Sequence, residues 1–226
     1  MLGIGQSMGG CLTVVQQARH ESYDGIGVLG WSSIHTYPPM PPGDVPRLNP
    51  YIPRDHSPGR GDPPLNSALL EHNRNQWAGG SLPSGPDPMA WGFYYDDVPE
   101  DIVEQDLTDF PTRGGDVPVW GSATIPGLAD WVLTPGATTP EAASIVVPVL
   151  LAFGERDVLD DPWMEPKAYG AAVDISLFVC PRMGHMHNFA STREVFWARI
   201  ETWAKHVAEL KQRLPNGWPS QLISIS

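Results

Sequence analysis

Gly5-Gln6-Ser7-Met8-Gly9 fits the pattern G-x-S-x-G, after the apolar stub Leu2 to Ile4 and before a helix-like stretch. A serine on a sharp strand-to-helix turn sits in a strained backbone, and small residues two before and two after it avoid a clash there. Such a turn presents Oγ at the start of the helix. There the positive end of the helix dipole and the free amide of Met8 can stabilise an oxyanion. On these five residues alone, a glycine-rich helix start with Ser7 as a simple cap is an equal alternative. Two later stretches change the balance. Gly154-Glu155-Arg156-Asp157 ends an apolar run, and Gly184-His185-Met186-His187-Asn188 stands just ahead of the last helix. Serine is inert at its own pKa, so it requires a base within hydrogen-bond reach, and that base requires a carboxylate to fix its tautomer. The order serine, acid, histidine supplies all three, each just beyond a predicted strand. The carboxyl ends of parallel strands converge on one crevice, which brings distant residues together.

Each position has a rival. His187 is two residues from His185 and is a second candidate base. Asp160 and Asp161 compete with Asp157; Gly-x-x-Asp spacing favours Asp157, and the other two suit the start of a helix near Pro162. His185-Met186-His187 could be a metal pair, but no carboxylate or further histidine with ligand spacing lies nearby, so no metal is expected. Cys11, one turn beyond Ser7, is expected to pack in the core. Gly3 to Gly9 echoes a dinucleotide loop, with the third glycine misplaced and no complete strand ahead of it.

The elements that must position these residues are legible at both ends of the chain. Met8, Cys11, Leu12, Val15 and Ala18 share one helical face, which predicts a helix from Met8 to His20. Gly25 to Trp31 then reads as a short strand. Residues 36 to 65 hold ten prolines, a density that breaks regular elements and favours a loop-rich, partly polyproline-like stretch. From Trp77 to Trp131 the chain stays irregular, with one short helix expected from Pro99 to Phe110. Its aromatics, among them Trp91, Phe93, Tyr94, Tyr95 and Trp120, suit a packed insertion better than a disordered tether. Ile145 to Phe153 reads as a buried parallel strand with Pro148 near its start, and Val173 to Val179 as another. Phe196, Ile200, Trp203, Val207, Leu210 and Leu214 form the core stripe of a last helix. Ser191-Thr192-Arg193-Glu194 is the expected capping box at its start, and Pro215 and Gly217 end it.

Composition narrows the function further. The 226 residues carry 14 Lys and Arg against 26 Asp and Glu, a net charge of −12, which argues against nucleic acid as a partner. With 41% hydrophobic residues and nine Trp the chain can bury a real core. Its longest nearly apolar run, Ile145 to Phe153, is too short for a membrane span. Two cysteines make no disulfide framework and fit a reducing, cytoplasmic setting. The first residues carry no Lys or Arg and do not read as a signal peptide.

The stretches GQSMGG, VPVLLAFGERD and MGHMHNF give the sequence a resemblance to the α/β-hydrolase family. The resemblance covers the beginning of the chain and its last eighty-odd residues. It implies an α/β fold made of the carboxy-terminal portion of a parallel sheet. Residues 1–34 would hold the elbow, its helix and the next strand; 35–143 a Pro- and Trp-rich cap; and 144–226 the acid strand, histidine loop and final helix. Ser7 would be the nucleophile, Asp157 the acid, His185 the base, since the family's histidine commonly follows glycine, and the Met8 amide half of the oxyanion hole. A serine at the elbow implies an esterase, lipase or related acyl-transfer enzyme acting on a small-molecule acyl substrate without cofactor. In the family the elbow closes a later strand of the sheet, so the early strands and the loop donating the second oxyanion amide are expected to be missing, on the order of a hundred residues. The alternatives from other classes are a catalytically silent remnant used in binding or assembly, and a nucleotide-binding oxidoreductase.

Overall fold

The computed structural model describes residues 1–37, 39–44, 88–108, 131–214 and Trp218. The expected proline-rich loop beyond Asp44, Trp77, Trp120, Phe110, and the helix stop at Pro215 and Gly217 lie outside them.

Four strands, β1 (Leu2–Gln6), β2 (Gly25–Leu29), β3 (Val149–Gly154) and β4 (Ile175–Cys180), form one parallel sheet in the order β1-β2-β3-β4. The expected strand from Ile145 starts only at Val149, because Pro148 lacks the amide that would join the ladder, while its carbonyl still accepts from Ile26. Val149, Leu151 and Phe153 enter one core cluster and Leu150 and Ala152 the other, so β3 is buried on both faces. This is the apolar run a central parallel strand needs. Among the described residues β1 pairs on one side only, with β2, and Ile4 on it is 44% exposed.

Helix α1 (Met8–His20) connects β1 to β2 with the expected bounds, but its buried face is turned from the predicted stripe: Cys11 and Val14 enter the core, Met8, Val15 and Ala18 pack only at its edge, and Leu12 is 67% exposed. On the same face lie α4 (Thr139–Ala143), Trp31, Trp131 and Tyr169. The opposite face is closed by α5 (Arg193–Arg213), through Phe196, Trp203 and Val207. Two further helices, α2 (Pro88–Phe93) and α3 (Glu100–Thr108), stand in the irregular middle; α3 matches the expected short helix. No helix among the described residues is long and apolar enough to cross a membrane.

The start of α5 departs from the capping-box expectation. Thr192 is the N-cap and makes no side-chain cap bond. The Ser191 hydroxyl donates instead to Asp97 Oδ2 at 2.6 Å, and Thr192 Oγ1 to the Pro181 carbonyl at 2.9 Å. Donation to an ionised acceptor orients the Ser191 hydroxyl toward Asp97, away from the helix amides, so the hydroxyls tie the helix to neighbouring loops. Leu214, the last residue of the expected stripe, caps the helix and is exposed.

Candidate active site

Every strand delivers a site residue just beyond its carboxyl end. β1 leads to Ser7, β2 to Gly30, β3 to Asp157 after a short turn, and β4 to the loop holding His185 and His187.

Ser7 has φ 56° and ψ −126°, a left-handed conformation rare for a side chain with a Cβ. Its amide donates to the Leu29 carbonyl at 2.8 Å, and its own carbonyl accepts from Gly10 and Cys11 as the helix begins. The tight turn explains Gly5, where a Cβ would lie 2.0 Å from the Gly9 carbonyl oxygen. The expected need for a small residue two after the serine is not met in the same way. A Cβ on Gly9 would meet nothing within 4 Å, since it is the Gly9 backbone, not its Cα substituent, that crowds Gly5. Met8 is the first residue of α1, so its amide is one that no helical carbonyl takes up.

Ser7 Oγ lies 2.9 Å from His185 Nε2, and His185 Nδ1 lies 2.7 Å from Asp157 Oδ1. The three residues singled out in the sequence therefore stand in one hydrogen-bonded line. Asp157 and His185 are both buried. Asp157 Oδ2 accepts from the Gly154 amide and Oδ1 from the Val158 amide, both at 2.8 Å. Burial pushes the Asp157 carboxyl up, but hydrogen bonds and charge attraction from His185 and His187 outweigh it and hold the group well below the usual carboxylate range. It is an anion at neutral pH, so it fixes the proton of His185 on Nδ1 and leaves Nε2 free to accept from Ser7.

The rival residues take other places. Asp161 accepts from the Trp163 amide at 2.9 Å and caps the 3₁₀ segment Pro162–Tyr169, as expected of a helix start. Asp160 acts on Tyr37, whose hydroxyl is pushed up by burial and then by that charge. Cys11 is buried in the core. His187 does not reach Ser7. Its Nε2 lies 2.8 Å from Asp157 Oδ2, on the far side of the same carboxylate. The sequence reading discounted a metal pair for want of a carboxylate; the fold supplies one, because Asp157 comes from another strand end. Asp157, His185 and His187 are the described grouping whose donor atoms, within 4.8 Å of one another, have the types that bind a metal ion. Here those atoms face each other as hydrogen-bonded pairs 2.7 and 2.8 Å apart.

Several supporting residues carried no signal in the sequence. Gly30 has φ 55°, and a Cβ there would lie 3.1 Å from His185 Nδ1 and His187 Cε1 and 3.2 Å from Asp157 Oδ1. Gln6 Nε2 donates to the His185 carbonyl at 2.9 Å, tying the elbow to the histidine loop. The amides of His185 and Met186 donate to the carbonyls of Gly92 and Phe93, each at 2.9 Å, and the Phe93 ring stands edge-on to His185 with centroids 5.0 Å apart. The segment after α2 is fastened beside them. Arg156 lies between the Trp91 and Tyr95 rings, 4.4 and 4.2 Å from their centroids, and grips both oxygens of Asp96 at 2.8 and 2.7 Å. Asp97 takes Arg182 at 2.5 Å as well as Ser191. Behind Gly30, the buried Glu165 accepts from Ser32 Oγ and the Ser33 amide, both at 2.6 Å. Burial raises its carboxyl to about 7 against the pull of those bonds.

A parallel sheet with a serine at a strained strand-to-helix turn, and an acid and a histidine after later strands, defines the α/β-hydrolase fold, and the chain has that fold. No protein-family model and no curated protein sequence matches it. Among solved structures it is similar to Rv0554 from Mycobacterium tuberculosis, at 17% identity over 90% of this chain and 65% of that one, with a TM-score of 0.52. It is likewise similar to a bromoperoxidase from Bacillus anthracis, at 16% identity over 88% and 65% of the two chains and a TM-score of 0.53. A candidate lipase, lip1 from Acinetobacter baumannii AYE, gives 11% identity, 92% and 62% coverage, and a TM-score of 0.52. The chain thus spans just under two thirds of the length of these structures.

Proposed function

We propose that the chain is a serine hydrolase that cleaves a carboxylic ester or a similar acyl bond of a small molecule. One observation carries this reading: the hydrogen bond from Ser7 Oγ to His185 Nε2 at 2.9 Å, continued to an ionised, buried Asp157. In the reaction His185 Nε2 takes the proton of Ser7 as Oγ attacks the substrate carbonyl. Asp157 stabilises the imidazolium that forms and keeps the ring oriented. The Met8 amide, at the positive end of α1, donates to the developing oxyanion. His185 then returns its proton to the leaving alcohol, and water, deprotonated by the same Nε2, attacks the acyl-enzyme and frees Ser7.

A fluorophosphonate probe and a chromogenic acyl ester test the reading together. The expected result is covalent labelling and ester turnover, both lost in Ser7→Ala with the fold retained. Folded protein that neither labels nor turns over ester, or labelling that survives Ser7→Ala, refutes it.

A further inference from the structure

His187 engages the carboxylate that orients the candidate base, and its geometry exceeds what packing requires. The His187 amide donates to the His185 carbonyl at 3.0 Å across Met186, whose φ −80° and ψ 71° make an inverse γ-turn. This three-residue turn lets two rings of one loop reach opposite oxygens of one side chain. An ionised carboxyl accepts about four hydrogen bonds, and Asp157 receives four: Val158 and His185 on Oδ1, Gly154 and His187 on Oδ2. No acceptor direction is spare, so rotation of the carboxylate breaks several bonds at once. Because Asp157 stays ionised, the proton of His187 resides on Nε2. The other nitrogen, Nδ1, is buried and has no partner among the described residues. A ring that leaves one nitrogen orphaned in the interior is held there by what its other nitrogen does.

We infer that His187 is a positioning residue that acts through Asp157: its Nε2–H clamps Oδ2, aims Oδ1 at His185, and draws off part of the carboxylate's charge. This rests on the proposed serine hydrolase reading for its effect on rate, though not for its effect on the hydrogen-bond array. The titratable groups facing His187 are Asp157 and, across it, His185, with ring centroids 6.1 Å apart. On its remaining sides the Phe196 ring of α5 packs against it at a tilt of 50°, with centroids 4.5 Å away. A cavity of about 240 Å³ beyond is lined from β1, β2 and α5 by Gln6, Leu29, Trp197 and Ile200, none of which titrates. Among the described residues, no neighbouring cation therefore substitutes for the Nε2–H.

The test compares His187→Leu, which removes the donor, with His187→Gln, whose side-chain amide can place an N–H near the position of Nε2. Losing the donor concentrates charge on Asp157, which favours the imidazolium form of the base. The acid limb of the kcat/KM profile should then move up by about one pH unit, a tenfold change in proton equilibrium, as expected for one hydrogen bond to a charged group. The rate on the alkaline plateau should also fall about tenfold or more through misalignment. His187→Gln should regain most of both. The histidine-labelled 226-residue chain gives a readout independent of turnover. Proton–nitrogen NMR should show His187 as the Nε2–H tautomer, and the His185 Nδ1–H resonance should shift in the Leu variant and return in the Gln variant. The inference is overturned if the Leu variant keeps the wild-type profile and resonance, if the Gln variant is as impaired as the Leu one, or if His187 carries its proton on Nδ1. Should the Leu variant fail to fold, the Gln variant and the tautomer decide alone. A chain that hydrolyses nothing but shows the expected resonances removes the hydrolase reading and leaves the array standing.

Discussion

Gly30→Ala offers a sharp check on how tightly the site is packed. The residue follows β2 with φ 55°, where an L side chain costs roughly 1–2 kcal/mol relative to glycine. Its new methyl would stand 3.1 Å from His185 Nδ1 and His187 Cε1 and 3.2 Å from Asp157 Oδ1. Each neighbour must yield a few tenths of an ångström, and each is held by a hydrogen bond of 2.7 or 2.8 Å that lengthens as it does. Overpacking of this kind adds about 1 kcal/mol or more. The sum, about 2–3 kcal/mol, corresponds for a chain of this size to a fall in Tm of roughly 5–10 °C. Displacement of the base by a fraction of an ångström should cost about tenfold in kcat/KM, given that a full ångström costs about a hundredfold. Gly136→Ala is the control. It carries the same sign of φ, 74°, yet a Cβ there meets nothing closer than Thr139 Oγ1 at 3.7 Å. It should lose stability from backbone strain alone and keep its rate. Thermal melts and ester kinetics on the two variants decide the matter. A Gly30→Ala chain within twofold of the parent rate, or one no more damaged than Gly136→Ala, would refute the packing account.

Two further outcomes follow from groups outside the line of Ser7, His185 and Asp157. Glu165 titrates near 7 when folded against 4.5 when unfolded, so its contribution is fully present below 4.5 and is lost as the pH rises from there to about 7. Unfolding free energy should therefore decline across that window by on the order of 3 kcal/mol, and Glu165→Gln should flatten the decline; a variant with the same pH slope as the parent contradicts this. Arg156→Met removes the two-oxygen grip on Asp96 and the two cation–ring contacts, about 2 kcal/mol of local fastening. Hydrogen exchange at the His185 and Met186 amides, which are bonded to Gly92 and Phe93, should accelerate about thirtyfold, and unchanged protection would show that Arg156 holds nothing there.

What the sequence disclosed depended on how local each constraint was. The elbow was readable because a strained turn admits few residue types, and its demand falls on Gly5, two residues before Ser7 in the chain. α5 was readable from an apolar face that repeats within a single element, and Asp157 and His185 from their places after apolar runs; α1 was readable in its bounds but not in its face, because the elbow turns Val14 inward and leaves Leu12 exposed. Contacts between distant segments left no such trace. Nothing in Gly184-His185-Met186-His187 announces that both rings would close on one carboxylate, because that carboxylate arrives from β3. The same holds for Ser191, which reads as a helix cap until Asp97 is brought beside it. Gly30 reads as one more residue of the expected strand Gly25 to Trp31, but β2 ends at Leu29 and three side chains press on Gly30 beyond it. Trp91 to Asp97 reads only as part of an irregular, aromatic-rich insertion, whereas its carbonyls, rings and carboxylates fasten the loops that carry Arg156, Arg182 and His185.

The bonds from Gly92 and Phe93 to the backbone of His185 and Met186 have a consequence for engineering. The end of α2 and the loop that bears the imidazole are joined by two consecutive backbone hydrogen bonds, so a shift of one pulls on the other. Replacing the residues around Gly92 and Phe93 would displace the His185 ring too, unless the replacement reproduces those two carbonyls at the same height.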